Sequence, residues 1–180
     1  MVDPSDAAKI AEANRFYENG EYDKAFSQYR RLAEEGHRNA PHRLAWMFLK
    51  GLGTSASDED AIKWYKVAAE AGNPIATFDL ANSYGARDEN ALAVEWYQRA
   101  AAQGYSPALY RLGLYYRIGK GVVRDDKKAT EMFREAAKGG HLFAQRELNK
   151  LLLFGSEGFG EESRGHYGIS YCLQSEQWLH

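Results

Sequence analysis

The residues best suited to chemistry in this chain are five histidines, one cysteine and a loop with two glycines. None of the histidines belongs to an HExxH motif, and none is spaced from the cysteine as a zinc site requires. Cys172 and His166 could be drawn as a nucleophile and its base, but no third side chain is apparent to orient the histidine. The sequence therefore predicts no catalytic residue, no metal site and no cofactor.

The glycine-containing loop GKGVVRD, residues 119–125, raises the question of phosphate binding. A Walker loop follows a strand and ends in a lysine that precedes Ser or Thr, and neither condition is met here. The loop instead joins two segments with helical periodicity, so we expect a structural turn. Gly119 would end the first helix, Gly121 would let the chain reverse and Asp125 would cap the second helix.

Length and composition indicate one globular domain. The chain has 180 residues, 44% of them hydrophobic and 27% charged, and its formal net charge of −2 gives no global attraction to nucleic acid or anionic membranes. No apolar run of about 18 residues predicts a transmembrane helix, and the N-terminal segment does not resemble a signal peptide. We expect a soluble cytoplasmic protein, or a periplasmic or secreted one if an export signal has been removed.

An internal repeat organises most of the chain. Four segments, each beginning with alanine and carrying an aromatic residue four positions later, align without gaps, and their starts differ by 36, 32 and 36 residues. A second set of four alanine-led segments has the same spacings. The two sets begin at Ala25, Ala61, Ala93 and Ala129, and at Ala40, Ala76, Ala108 and Ala144. Two independent columns with common spacings indicate a repeated pair of helices.

Each segment of the first set has one apolar helical face. In the last of them, Ala129, Met132, Phe133, Ala136 and Ala137 lie at i, i+3, i+4, i+7 and i+8. The alanines allow helices to approach, and the aromatic side chains fill the space beside them. N-caps before proline and glycines just past a last turn predict the helix ends, and these residues are Asn73, Ser106, Gly36, Gly72, Gly104 and Gly140.

The segment LGLYYRIGKGVVRDDKKATEMFREAAKGGH, residues 112–141, strongly resembles a Sel1-like repeat, a relative of the tetratricopeptide repeat. The unit from Ala40 to Gly72 is similar, whereas the third unit has a shorter loop and the first is closer to a tetratricopeptide repeat. The resemblance rests on Leu112, Gly113, Tyr116, Gly119, Gly121, Val122, Asp125, Lys128, Ala129, Ala136, Ala137 and Gly140.

The resemblance implies an all-α fold, a right-handed α-solenoid of helix-turn-helix units. About four and a half units are expected within residues 1–154, at 5–36, 39–72, 74–104, 107–140 and 142–154. Residues 155–180 form a tail that would either cap the stack or act as a docking segment. Residues 107–150 carry ten Lys or Arg and five acids, whereas the tail carries four glutamates and one arginine, so the two would attract each other at short range.

By analogy with the tetratricopeptide fold, the first helix of each unit would line a concave groove. Side chains between its inward-packing positions are polar or aromatic, which suits recognition of a protein or peptide segment. The predicted partner-binding residues are Arg15, His42, Trp46, Thr77, Asn82, Tyr110, Leu114, Arg117, Gln145 and Lys150. Among them we favour His42, Tyr110 and Arg117.

Some of these residues have structural alternatives. Trp46 and Leu114 fit packing between repeats equally well. Arg117 could pair with Asp125 or Glu131 on the surface, an interaction that stabilises a protein little.

The function that the resemblance implies is a non-catalytic adaptor or scaffold that holds another protein in the groove. The alternative is a dedicated inhibitor or immunity-type protein that occludes a single enzyme or toxin. An enzyme ranks third: some disulfide-rich relatives are associated with β-lactam binding, but the paired cysteines that mark their repeats are absent here. We expect a protein or peptide partner, no nucleic acid and no membrane insertion, and homo-oligomerisation is left open.

Overall fold

The structure, a computed structural model, describes residues 4–154, with side chains from residue 8 to residue 151. This part of the chain forms nine α-helices joined by turns, as the all-α prediction requires. The predicted tail at 155–180 lies outside the described residues. The helices are α1 (Pro4–Glu18), α2 (Tyr22–Glu34), α3 (Ala40–Lys50), α4 (Asp58–Glu70), α5 (Pro74–Ala86), α6 (Asn90–Ala102), α7 (Ser106–Ile118), α8 (Asp126–Lys138) and α9 (Leu142–Phe154).

The helices pack as a chain of neighbours, each one against the next in sequence. We call α1, α3, α5, α7 and α9 the first helices and α2, α4, α6 and α8 the second helices of their units. This nearest-neighbour packing is that of an α-solenoid, and it confirms the two-helix repeat predicted from the alanine columns. None of the described helices is long and apolar enough to cross a bilayer.

The core repeats from unit to unit. The aromatic residue of each second helix is buried, at Tyr29, Tyr65, Tyr97 and Phe133. A small residue of the partner first helix makes room for this ring. At Gly113 a Cβ atom would lie only 2.5 Å from the Phe133 ring, so even alanine would force a rearrangement.

Helix ends follow the predicted capping residues, with one exception. The side chains of Asn73 and Asp125 each accept two backbone N–H groups of the following turn, at 3.0 to 3.1 Å, so both predicted N-caps are confirmed. The prediction for Ser106 is wrong. The helix already includes Ser106, Tyr105 stands at the N-cap, and the Ser106 hydroxyl donates to the Gly139 carbonyl at 3.4 Å instead.

Two glycines explain the long loops of the second and fourth units. Gly53 and Gly121 have positive φ angles of 68° and 69°. A Cβ at Gly53 would overlap the Tyr22 carbonyl, and one at Gly121 would lie 2.5 Å from the Asn90 carbonyl. Each loop therefore rests directly on the start of a second helix in the preceding unit, and the loop at residues 119–125 is a structural turn, as predicted.

The last described helix has a polar outer face. Gln145 and Asn149 are exposed on α9, and the Gln145 side-chain amide donates to Asn149 Oδ1 at 3.0 Å. Asn149 occupies the repeat position that is Ala45 and Ala81 in earlier units, where both alanines are fully buried. Asn149 is therefore a departure of α9 from the small residue that the earlier first helices carry at this position.

Candidate protein-binding surface

Within the described residues, side-chain hydrogen bonds link three of the four neighbouring pairs of first helices. One joins α1 to α3, one joins α3 to α5 and one joins α7 to α9. They link Trp46 Nε1 with Tyr17 OH (3.3 Å), His42 Nε2 with Asp79 Oδ2 (2.9 Å) and Arg117 Nη1 with Glu147 Oε2 (2.6 Å). We call these six residues, with Lys50, Tyr110 and Lys150 beside them, the first-helix surface.

The N-terminal part of this surface is aromatic. The indole N–H of Trp46 donates to the Tyr17 hydroxyl, and the Tyr17 ring packs edge-on against Tyr22, with centroids 5.5 Å apart. The Lys50 ammonium lies 4.8 Å from the centre of the Trp46 ring, a cation–π arrangement. Trp46 is half-buried and Lys50 exposed, so an amphipathic partner side chain could reach both.

The middle of the surface holds a polar bridge between two units. His42 and Asp79 bond at 2.9 Å, and their side chains are 21% and 24% exposed. The His42 ring also lies 5.7 Å from the buried Tyr65 ring. These contacts hold the His42 side chain in one orientation.

The C-terminal part holds a buried ion pair. Glu147 is only 8% exposed and accepts bonds from Arg117 at 2.6 Å and from Lys150 at 2.9 Å. Burial alone would raise the pKa of Glu147, but the hydrogen bonds from Lys150 and Arg117 outweigh burial and hold that pKa below its usual value. The carboxylate is therefore charged, and it ties α7 to α9.

Tyr110 lies beside this ion pair and packs on the cap of α9. Its ring stacks on His141, with centroids 4.6 Å apart and an interplanar angle of 25°. His141 Nδ1 accepts the Ala144 backbone N–H at 3.2 Å, so the ring serves as the helix cap in its neutral form. Burial, helped by the charge of Arg111, lowers the pKa of His141 and favours that form.

Two predicted binding residues are committed to the interior. Thr77 is 1% exposed, and its hydroxyl donates to the Asn73 carbonyl at 2.8 Å, so the expectation that it faces the groove is wrong. Asn82 is half-buried, and its side-chain oxygen accepts the Tyr97 hydroxyl at 2.7 Å. The physical reason is register: Thr77 follows the repeat alanine directly and points at its own second helix.

Two others are exposed but occupy other faces of their helices. Arg15 stands at the repeat position of Met47 and Ser83, which are buried in later units. Gln145 stands at the position of Thr77 and bonds to Asn149. Neither residue shares the register of the first-helix surface.

Leu114 is half-buried and packs against the cluster around Phe133, in agreement with its alternative interpretation. Arg117 does bond to an acid, but the partner is Glu147 of the next unit and neither Asp125 nor Glu131. The five predicted residues that the structure brings to the first-helix surface are His42, Trp46, Tyr110, Arg117 and Lys150.

Three residues of the surface were not predicted. Tyr17, Asp79 and Glu147 all bond across to a neighbouring first helix. Asp79 and Glu147 share one repeat position, three residues after the repeat alanine, and this recurrence of an acid was the available signal. Among the described residues, no three His, Cys, Asp or Glu side chains come together as a metal site would need.

The chain is similar to proteins from bacteria and from yeast. An uncharacterized protein of Neisseria meningitidis is 37% identical over 127 residues, which cover 69% of this chain and 26% of that protein. The chitin synthase regulator SKT5 of Saccharomyces cerevisiae is 28% identical over 180 residues, covering 89% of this chain and 26% of the regulator. The chain thus spans about a quarter of the length of these two relatives.

The fold comparison agrees with the sequence comparison. The crystal structure of a Sel1 repeat protein from Oxalobacter formigenes superposes with a TM-score of 0.76 at 28% identity, covering 88% of this chain and 69% of that one. The family model for the Sel1 repeat matches residues 40–73, 74–105 and 106–141, which together make up more than half of the chain. The chain therefore belongs to the Sel1 repeat family.

Proposed function

We propose that this chain is a non-catalytic adaptor that binds a segment of another protein on its first-helix surface. The observation that carries the proposal is the set of side-chain bonds between first helices at three of their junctions. These bonds hold aromatic and charged side chains in place before any partner arrives. A preformed surface of this kind reduces the entropy lost on binding.

The family and its relatives support a non-catalytic role. The chain is built of Sel1 repeats, and the yeast relative is named as a regulator of chitin synthase. The relatives are much longer than this chain, so the identity of its own partner does not follow from theirs. We expect no hydrolysis of a chromogenic β-lactam, the reaction that the disulfide-rich branch of the resemblance would suggest.

The proposal is tested by affinity isolation with two matched double variants. Lys50→Glu with Arg146→Glu reverses two exposed charges on first helices, whereas Lys66→Glu with Arg134→Glu reverses two on second helices. We expect a partner captured by the wild type to be lost with the first pair and kept with the second, at equal helical circular dichroism. A partner lost only with the second pair, or with neither, would contradict the proposal.

The same isolation separates an adaptor from a dedicated inhibitor. An adaptor is expected to retain several partners of moderate affinity, because its surface serves an assembly. An inhibitor would retain one partner with a Kd of about 1 nM or below. Titration of each captured protein against the purified chain measures this difference.

A further inference from the structure

In two units, an asparagine of the first helix accepts a hydrogen bond from the buried tyrosine of the second helix, and the asparagine has the same repeat position in both. In the first unit the Tyr29 hydroxyl donates to Asn14 Oδ1 at 2.5 Å, and in the third unit the Tyr97 hydroxyl donates to Asn82 Oδ1 at 2.7 Å. Both pairs are 15 residues apart in sequence. In the fourth unit both positions are apolar. Leu114 stands in place of the asparagine and Phe133 in place of the tyrosine, and the two pack in one cluster. In these units the two positions match in polarity.

The second unit breaks this match. Its buried ring is Tyr65, which is fully buried, but the position that holds asparagine in the first and third units holds Trp46. An indole offers no acceptor oxygen. Within residues 8–151 the Tyr65 hydroxyl has no hydrogen-bond partner. A buried hydroxyl without a partner destabilises a fold, because its bonds to water are lost and not replaced.

Trp46 directs its polar atom elsewhere. Its Nε1 donates to Tyr17 of the preceding unit, and the ring lies under the Lys50 ammonium. The polar atom of the tryptophan therefore bonds on the outer surface. At the same repeat position, no side-chain acceptor is available for the Tyr65 hydroxyl. The two positions match in polarity in the first, third and fourth units but not in the second. Such a local departure from the pattern is expected at a functional site.

The charges of the first helices indicate what kind of segment binds there. The five first helices carry eight Lys or Arg and five acids, although the whole chain has a net charge of −2. Without α1, which carries three of the acids, the count is six Lys or Arg and two acids. Both acids, Asp79 and Glu147, are already bonded to a neighbouring first helix. The surface around Trp46 and Lys50 is thus complementary to carboxylates.

We propose that Trp46 is the anchor of the first-helix surface and that its occupant is an acidic peptide segment of a partner protein. An apolar side chain of the segment packs on the Trp46 ring, and a carboxylate pairs with Lys50. Tryptophan is among the residue types enriched at binding hot spots, and the Lys50 ammonium supplies a charge complementary to a carboxylate. This inference rests on the proposed adaptor function and adds the recognition unit and the chemistry of the ligand.

The structural half of the inference is tested by removing one hydroxyl at a time. We expect Tyr97→Phe to lower the Tm by a few degrees, because it breaks the bond to Asn82, and Tyr65→Phe to leave the Tm unchanged or raise it. In a Trp46→Asn background, where an acceptor is present, Tyr65→Phe should lower the Tm as well. An equal loss for Tyr65→Phe and Tyr97→Phe in the wild-type chain would overturn the inference.

The binding half is tested with a displayed library of random peptides selected on the wild-type chain. We expect the selected peptides to be enriched in Asp and Glu. Trp46→Asn should weaken their binding at least tenfold, while Val67→Asn should not. Val67 is the matched control because it is 40% exposed on the second helix of the same unit.

The other outcomes of the peptide selection would overturn the inference, the adaptor function or both. Peptides without acidic enrichment, or binding equal in Trp46→Asn and wild type, would overturn the inference and leave the adaptor function standing. A library that yields no binder would overturn both. A synthetic peptide of residues 155–180 that displaces the selected peptides at lower concentration than they displace one another would assign the surface to the chain's own acidic tail, against the inference.

Discussion

At the scale of single residues, the glycines divide into two physical classes. Gly36 and Gly104 have positive φ angles and open space around them, so they serve only backbone conformation. Gly53 and Gly121 have the same conformation, but their backbones also touch the helix of the preceding unit. The second class therefore holds units together as well as turning the chain.

Substitution by alanine should separate these classes. Gly36→Ala is expected to lower the free energy of unfolding by about 1 kcal/mol, the strain of a left-handed alanine. Gly53→Ala should lower it by about 3 kcal/mol, because a Cβ also overlaps the Tyr22 carbonyl. Urea unfolding of the two variants measures the difference, and equal losses would show that the loop does not rest on α2.

His141 makes stability depend on pH near neutrality. Its folded-state pKa is lowered, because burial and Arg111 disfavour the charged ring. The stability that the neutral ring contributes is therefore present above its ordinary pKa of about 6.5 and is lost as the pH falls through the lowered value. Protonation also removes the acceptor that caps Ala144.

We expect His141→Asn to weaken this pH dependence while keeping the cap, since asparagine is among the best N-cap residues. Thermal unfolding at a series of pH values from 8 to 5 should show a smaller loss of Tm for the variant than for the wild type. The remaining histidines are common to both proteins, so the difference reports on His141. Parallel curves would rule out the cap.

The sequence predicted some single-residue features well and others poorly. Asn73 and Asp125 were predictable as caps because capping is decided within three residues of sequence. The bond from Arg117 to Glu147 was not, because it spans 30 residues and depends on how two units stack. Thr77 was misplaced because one step along a helix turns a side chain by about 100°.

At the scale of elements, α9 packs on α8 through an apolar cluster and is tied to α7 by a buried ion pair. Arg117 and Lys150 both bond to Glu147, and the side chains of Arg117 and Glu147 are 16% and 10% exposed. A buried charge left without its partner is strongly destabilising, commonly by about 3–5 kcal/mol. We therefore expect the ion pair to contribute substantially to the docking of the last described helix.

Arg117→Ala should release α9 without unfolding the rest of the chain, since solenoid units interact only with their neighbours. Hydrogen exchange measured by mass spectrometry is expected to quicken in α9 and remain unchanged in α3 and α4. Arg117→Lys is the matched control and should restore part of the protection. A uniform increase along the chain would contradict the nearest-neighbour account.

The elements themselves were largely predictable from the repeat. Aligned alanine and aromatic columns placed the helix pairs, and glycines just past the last turns, such as Gly72 and Gly140, placed their ends. The polar outer face of α9 was not predicted. Asn149 stands where the other units have alanine or glycine, but the repeat alignment contains other departures and does not rank them by their structural effect.

At the scale of the whole molecule, the account makes the two faces of the stack unequal. The first helices carry the inter-unit bonds, the aromatic cluster and the excess of cations, whereas the second helices supply the buried rings. Membership of the Sel1 repeat family agrees with a binding surface of this kind. The central claim is that partners bind the first helices.

Amide chemical shifts of the isotopically labelled chain, recorded as a captured partner is titrated in, map where that partner binds. We expect the perturbed amides to cluster in α3, α5 and α7 and to include those around Trp46. Perturbations confined to α4, α6 and α8, with the first helices unchanged, would contradict it.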